Sequence, residues 1–173
     1  MSSYINDIQN FLKDKLTAMG INDNNIVYIF EDEQVYNYNT LPIGIIKILD
    51  TTYDQTFTYK GIITIDGIKY KATEIAKATT LVSVGIADKG RDKVLAYRDK
   101  FIESFNKQRF SLHDNTQCVF EIDKNIFISL NEKEVDFKGI AYLMAFSYKI
   151  YNKEQVTVVS DPSLEITTVK YNN

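Results

Sequence analysis

Residues 61–71 read GIITIDGIKYK, two β-rich runs joined by Asp66-Gly67. Asp-Gly between such runs is a preferred two-residue hairpin connection, because both central positions need positive φ. The stretch therefore predicts a tight antiparallel hairpin, and strands on either side extend the pattern. Upstream, Phe57 and Tyr59 begin the extended run that leads into the turn. Before them, Asp50 to Asp54 reads as another turn, and Ile43 to Leu49 as a buried strand with Gly44 as a bulge or a close-approach point. Downstream, Thr79 to Ala87 (TTLVSVGIA) reads as a further strand that Asp88-Lys89-Gly90 breaks.

Helices flank these strands. Ile5, Ile8, Leu12, Leu16 and Met19 recur at three- and four-residue steps, which predicts an amphipathic helix over Ser3 to Met19. Ser2 or Ser3 suits its cap, and Gly20 its left-handed stop. Asn22 to Asn25 is a turn cluster, and Ile26 to Phe30 a short strand rich in β-formers. Arg91 to Asn106 predicts a second helix with Val94, Leu95, Arg98, Phe101, Ile102 and Phe105 on its inner stripe. Strands follow over 116–122, 125–130, 139–151, 155–160 and 163–171. Strands joined by short turns, with two helices, predict an α+β fold. It is mainly an antiparallel sheet with an N-terminal helix and a second helix packed on it. The order does not alternate βαβα, which disfavours a doubly wound dinucleotide fold. With 173 residues, 2 Pro and no marked linker, the expectation is a single domain over 1–173.

Composition narrows the chemistry. Lys+Arg is 20 and Asp+Glu is 23, a net charge of −3, opposite to the balance of a basic nucleic-acid-binding domain. One Cys and one His are too few for a Cys/His zinc site. Cys118 shares a strand face with Phe120 and Ile122 and reads as a small core residue. Any Ser-His-Asp or Cys-His catalysis has to use His113, which lies in a turn-like Ser-Leu-His-Asp-Asn. There is no Walker loop and no G-x-G-x-x-G. No apolar run approaches a membrane span, and the start has no basic segment followed by an apolar one. The expectations are a protein without cofactor, metal or membrane, kept in a reducing cytoplasm until assembly.

Tyrosine carries a different signal. The chain has 12 Tyr and 10 Phe. Tyr36 and Tyr38 alternate with Asn37 and Asn39 in a polar stretch, where they read equally as a loop folded on its own sheet or as a subunit contact. The acidic run Glu31, Asp32 and Glu33 precedes them and reads as a solvated loop rather than a cation site. These five residues are the candidate interface.

The layout resembles a known family. The residues that carry the resemblance are Leu41-Pro42-Ile43-Gly44-Ile45-Ile46-Lys47 and Val84-Gly85-Ile86 leading through Asp88 and Gly90 into the helix from Asp92 to Phe101. Ala145-Phe146-Ser147-Tyr148-Lys149-Ile150, before a last strand, completes the pattern. Over most of its length the chain is similar to the tail terminator (neck) proteins of tailed phages and contractile phage-tail-like particles. The resemblance implies a non-enzymatic structural subunit in a ring, usually of six, at the head-proximal end of the tail tube. Implied partners are other copies of the chain, the tube protein, and the sheath and head connector proteins. DNA passes only as cargo, which a mildly acidic lumen favours. The implied location is the host cytoplasm during assembly, then the particle. A head–tail connector, tube or baseplate subunit, or a small carboxylate-dependent enzyme, is the competing expectation.

Overall fold

The computed structural model describes residues 3–29, 41–105, 109–132, 135–161 and 166–171. The elements are α1 (Ser3–Ala18), a 3-10 turn (Asp23–Asn25), β1 (Ile26–Ile29), β2 (Ile43–Ile65), β3 (Ile68–Lys89), α2 (Arg91–Ser104), β4 (Arg109–Ser111), β5 (Gln117–Glu132), β6 (Val135–Asp161) and β7 (Ile166–Tyr171). Strands run in the order β1-β2-β3-β6-β5-β4, and β7 pairs with β6. The fold is α+β, with a mainly antiparallel sheet and two helices.

The hairpin forms where Asp66-Gly67 places it, with φ of 50° and 81° at the two turn residues. Its arms run much longer than expected. β2 passes straight through Asp50 to Asp54, where the sequence predicts a turn. Thr51, Thr52 and Tyr53 are good strand formers, and no Gly or Pro interrupts them. The Thr51 hydroxyl meets that of Thr80 at 3.0 Å, and the Thr52 hydroxyl donates to the Thr79 carbonyl at 3.5 Å. Cross-strand contacts thus satisfy groups that would otherwise favour a turn. β3 likewise fills residues 72–78, which the sequence left unassigned. β5 joins its two expected strands through a register shift between Ile122 and Lys124. An extra residue at that point lets one strand continue where alternation breaks. β1 and β2 are parallel, Ile26 to Ile29 beside Gly44 to Lys47. A parallel pair needs a connection of a dozen or more residues, and residues 30–42 separate these two strands.

The chain separates into two compact units. One comprises residues 1–52 and 79–148, and the other 53–78 and 149–173. In the first, α1 and α2 lie on one face of the sheet. Ile8, Leu12 and Leu16 of α1 are buried, as are Val94 and Phe101 of α2. They cover Ile46, Val82, Val84, Ile86, Phe120, Tyr142, Met144 and Phe146, which alternate along their strands as a period of two requires. Phe11 stacks on Phe110 with centroids 4.1 Å apart, and Phe101 on Tyr142 at 3.9 Å. Ile102, expected on the inner stripe of α2, is 52% exposed, so that stripe is narrower than its sequence suggests.

The end of α1 sets how closely it sits on β2. Gly20 has φ of 98°, the Gly20 amide donates to the Thr17 carbonyl, and the Ile21 amide donates to the Leu16 carbonyl at 3.2 Å. This pair of bonds is a Schellman stop. It turns Ile21 back towards the sheet beside Leu16. A Cβ on Gly44 would lie 3.0 Å from Leu16 Cδ1 and 3.6 Å from Ile21 Cδ1. Gly44 is therefore the close-approach point.

In the second unit the buried positions of β3 are small or polar: Ala72, Glu74, Ala76 and Ala78. Its strands are β2 from Tyr53, β3 to Ala78, β6 from Lys149, and β7. β6 and β7 pair antiparallel, Val156 beside Tyr171 through Asp161 beside Ile166.

Candidate functional site

Glu31, Asp32, Glu33, Tyr36 and Tyr38 lie outside the described residues. Three other places concentrate chemistry or exposed surface.

The first is around His113, in the turn between β4 and β5. Its Nδ1 lies 2.6 Å from Asp7 Oδ2, and its Nε2 lies 3.2 Å from Ser3 Oγ. A carboxylate only accepts, so the neutral ring carries its proton on Nδ1 and presents Nε2 to the serine hydroxyl. The order hydroxyl, imidazole, carboxylate is that of a hydrolytic triad. The same Asp7 oxygen also accepts the backbone amide of His113 at 2.9 Å. Tyr4 packs on the His113 ring with centroids 5.0 Å apart and donates to Asp114 Oδ2 at 3.1 Å. Burial, with the Asp114 charge behind it, pushes the Tyr4 hydroxyl up to about 12, so it stays a donor. One turn of α1 thus grips the β4–β5 turn through ring and backbone together, which is how a tether is built.

Cys118 is buried on β5, beside Phe110 of β4 in the strand register. Burial pushes its thiol up to about 12, so at neutral pH it is a protonated, apolar-like side chain. The core reading of Cys118 holds.

The second place is Glu74 of β3, buried in the second unit. Its Oε2 accepts from Lys149 Nζ at 3.0 Å and Lys60 Nζ at 3.2 Å. The Thr56 hydroxyl lies 3.4 Å from the Glu74 carbonyl. The hydrogen bond from Lys149 lowers the Glu74 carboxyl against the opposing effect of burial, and Lys60 lowers it further. This is a charge-paired strand clamp. Among the described residues no group of three or more His, Cys, Asp or Glu is arranged to hold a metal ion, and no helix is long and apolar enough to cross a membrane.

The third place is the surface of the hairpin. Tyr53, Phe57, Tyr59, Ile62 and Ile68 are between 41% and 69% exposed. They make five of the eight large hydrophobic residues exposed among the described residues, the others being Leu49, Ile102 and Val119. Tyr53 to Gln55 and Phe57 to Lys60 are exposed at every position, so β2 meets solvent on both faces there. Phe57 also takes φ of 48° and Gly61 φ of 97°, which interrupts the regular alternation. A left-handed Phe costs about 1 kcal/mol or more and persists where the surroundings or the function require it. An exposed strand that carries several aromatics gains little from its own fold, so it marks a contact surface.

The sequence contains the signal for this patch. Tyr53, Phe57 and Tyr59 interleave with Asp54, Gln55, Thr58 and Lys60 as Tyr36 and Tyr38 do with asparagines. The expected turn at Asp50 to Asp54 hid it by cutting the strand in two. No protein-family model matches the chain, and no curated protein shows significant similarity to it.

Proposed function

We propose that the chain is a structural subunit of a phage tail or phage-tail-like particle. It assembles into a ring, of six copies by the resemblance, at the head-proximal end of the tail tube. There the ring ends the tube and joins it to a head connector or caps it. The observation that carries this reading is the hairpin patch of Tyr53, Phe57, Tyr59 and Ile62 on β2 and Ile68 on β3, with β2 exposed on both faces over Tyr53 to Gln55 and Phe57 to Lys60. Such a surface suits a protein that works by contact with others. Glu31 to Glu33, Tyr36 and Tyr38 remain candidates for the same contacts. Another small component of the same particle shares this logic, and position in the particle separates the two.

The test is assembly. Purified protein mixed with tail tubes should form rings seated on one tube end by electron microscopy, with a matching rise in mass by light scattering. Protein that stays monomeric and leaves tube ends bare overturns the reading.

The Ser3–His113–Asp7 alignment favours one reading of another class, acyl transfer at Ser3. It expects p-nitrophenyl acetate to be cleaved faster by the protein than by Ser3→Ala. The structural reading expects equal rates for the two.

A further inference from the structure

The second unit has four strands, and among the described residues two of them, β2 and β7, have an open edge. β3 covers one side of β2. On the other side β1 pairs only along Gly44 to Lys47, so from Tyr53 to Ile65 no strand lies beside β2 among the described residues. β7 lies off this path: it pairs with β6 and, among the described residues, with no other strand. Among the described residues both edges are open, over β-prone sequence. A monomer ordinarily blunts or covers such an edge.

The directions of the strands limit what fits. The two-residue turn at Asp66-Gly67 makes β2 and β3 antiparallel. Lys71 pairs with Glu154 and Glu74 with Lys149, so ascending positions on β3 meet descending positions on β6, and these two are antiparallel as well. β6 and β7 are antiparallel by register. Three reversals set β7 opposite in direction to β2. A second copy that places its β7 beside β2 therefore continues the antiparallel alternation without inverting the subunit. The six residues of β7 fit within the thirteen of the open edge.

We propose that the open edge of β2, Tyr53 to Ile65, receives β7 (Ile166–Tyr171) of a second copy of this chain as an antiparallel neighbour. Backbone hydrogen bonds supply the attachment. The exposed Tyr53, Phe57, Tyr59 and Ile62 supply apolar contacts to the added strand. The contact is head-to-tail, since each copy gives β7 to one neighbour and β2 to the other, and it closes when the rotation between copies returns to the start. This names the partner element within the ring proposed above and rests on that reading.

The experiment uses full-length single-site variants. Tyr53→Cys, Tyr59→Cys and Thr168→Cys are made separately, and the native Cys118 is buried and stays out of the exchange. Under mild oxidation, an equal mixture of Thr168→Cys with Tyr53→Cys or Tyr59→Cys should give a disulfide-linked dimer on a non-reducing gel. Neither partner alone should give this dimer. As a second arm, Tyr59→Lys/Ile62→Lys should keep the wild-type circular dichroism and melting profile and weaken self-association at least tenfold by analytical ultracentrifugation. Rings that seat on tube ends without either mixed cross-link, or a lysine variant that associates as the wild type does, overturn the β2–β7 pairing and leave the ring reading standing. Cross-linked oligomers that ignore tube ends leave the pairing standing and remove the tail reading. A chain that is monomeric under every condition removes both.

Discussion

The two units share β2, β3 and β6, yet treat aromatic side chains in opposite ways. In the helix-covered unit Phe11, Phe101, Phe105, Phe110, Phe120, Tyr142 and Phe146 meet ring against ring. In the other unit Tyr53, Phe57 and Tyr59 stand in solvent, and the buried positions of β3 hold alanines and the Glu74 carboxylate, which pairs with the more exposed Lys60 and Lys149. Similar strands thus serve two ends. Where helices supply a second layer, an aromatic stabilises the monomer. Where no second layer comes from the same unit, an aromatic is available to another molecule. The difference teaches that aromatic content alone does not measure core size.

The sharpest way to break this comparison is to truncate one ring from each unit. Phe101 is fully buried and stacked on Tyr142. Phe101→Ala should cost about 3–5 kcal/mol of unfolding free energy, since it removes apolar area and leaves a cavity. Tyr59→Ala should change stability by about 0.5 kcal/mol or less, as surface changes do. Urea unfolding monitored by circular dichroism checks both. Equal costs for the two would place Tyr59 in a core and remove it from the contact surface.

A smaller effect tests how tightly α1 sits on the sheet. Leu16 Cδ1 is 3.0 Å from where a Gly44 side chain would begin. Gly44→Val should destabilise by about 1–3 kcal/mol, because α1 must lift or its side chains must leave their rotamers. The same unfolding curves read it. A neutral Gly44→Val would mean that the helix has room to move, and the contrast between a closely packed unit and an open one would weaken.

Much of the fold was legible where its signals are local and periodic. In the first unit the helical spacing of Ile8, Leu12 and Leu16 and the Gly20 stop, and in the second the Asp66-Gly67 turn, each declare themselves within a few residues. Gly44 in a strand already pointed to a close approach. Three things were not legible. Strand length depends on cross-strand partners that sequence does not display, so Asp50 to Asp54 read as a turn although Thr79 and Thr80 hold it extended. The parallel pairing of β1 with β2 is a matter of three-dimensional path. The Ser3–Asp7–His113 cluster joins residues 106 and 110 positions apart, which no spacing rule reveals. The Tyr53–Tyr59 patch was within reach of the reasoning applied to Tyr36 and Tyr38, but the mistaken turn divided it.

The finest distinction between the units is their response to pH. The hydrogen bond from Lys149 holds the Glu74 carboxyl below its ordinary value in the folded chain. A lowered folded value means that the unfolded chain takes up its proton first as the pH falls. The stabilisation is complete above the ordinary carboxylate range and disappears as acid carries the pH down through the folded value. The shifted groups of the helix-covered unit behave in the other direction. Burial raises Tyr4, Cys118 and Tyr142 to about 12, so their contribution is intact at neutral and acid pH and is lost only on the alkaline side, as the pH climbs through the folded values. Mild acid should therefore loosen residues 72–78 before residues 82–86 of the same strand, as read by hydrogen exchange compared between pH 7 and pH 3. Glu74→Gln keeps the size of the side chain and removes its titration. In that variant residues 72–78 should exchange faster at pH 7 than in the wild type and should lose the acid-dependent step. If residues 72–78 and 82–86 weaken together in the wild type and the variant keeps the step, Glu74 does not set the acid response, and the two units share one stability rather than two.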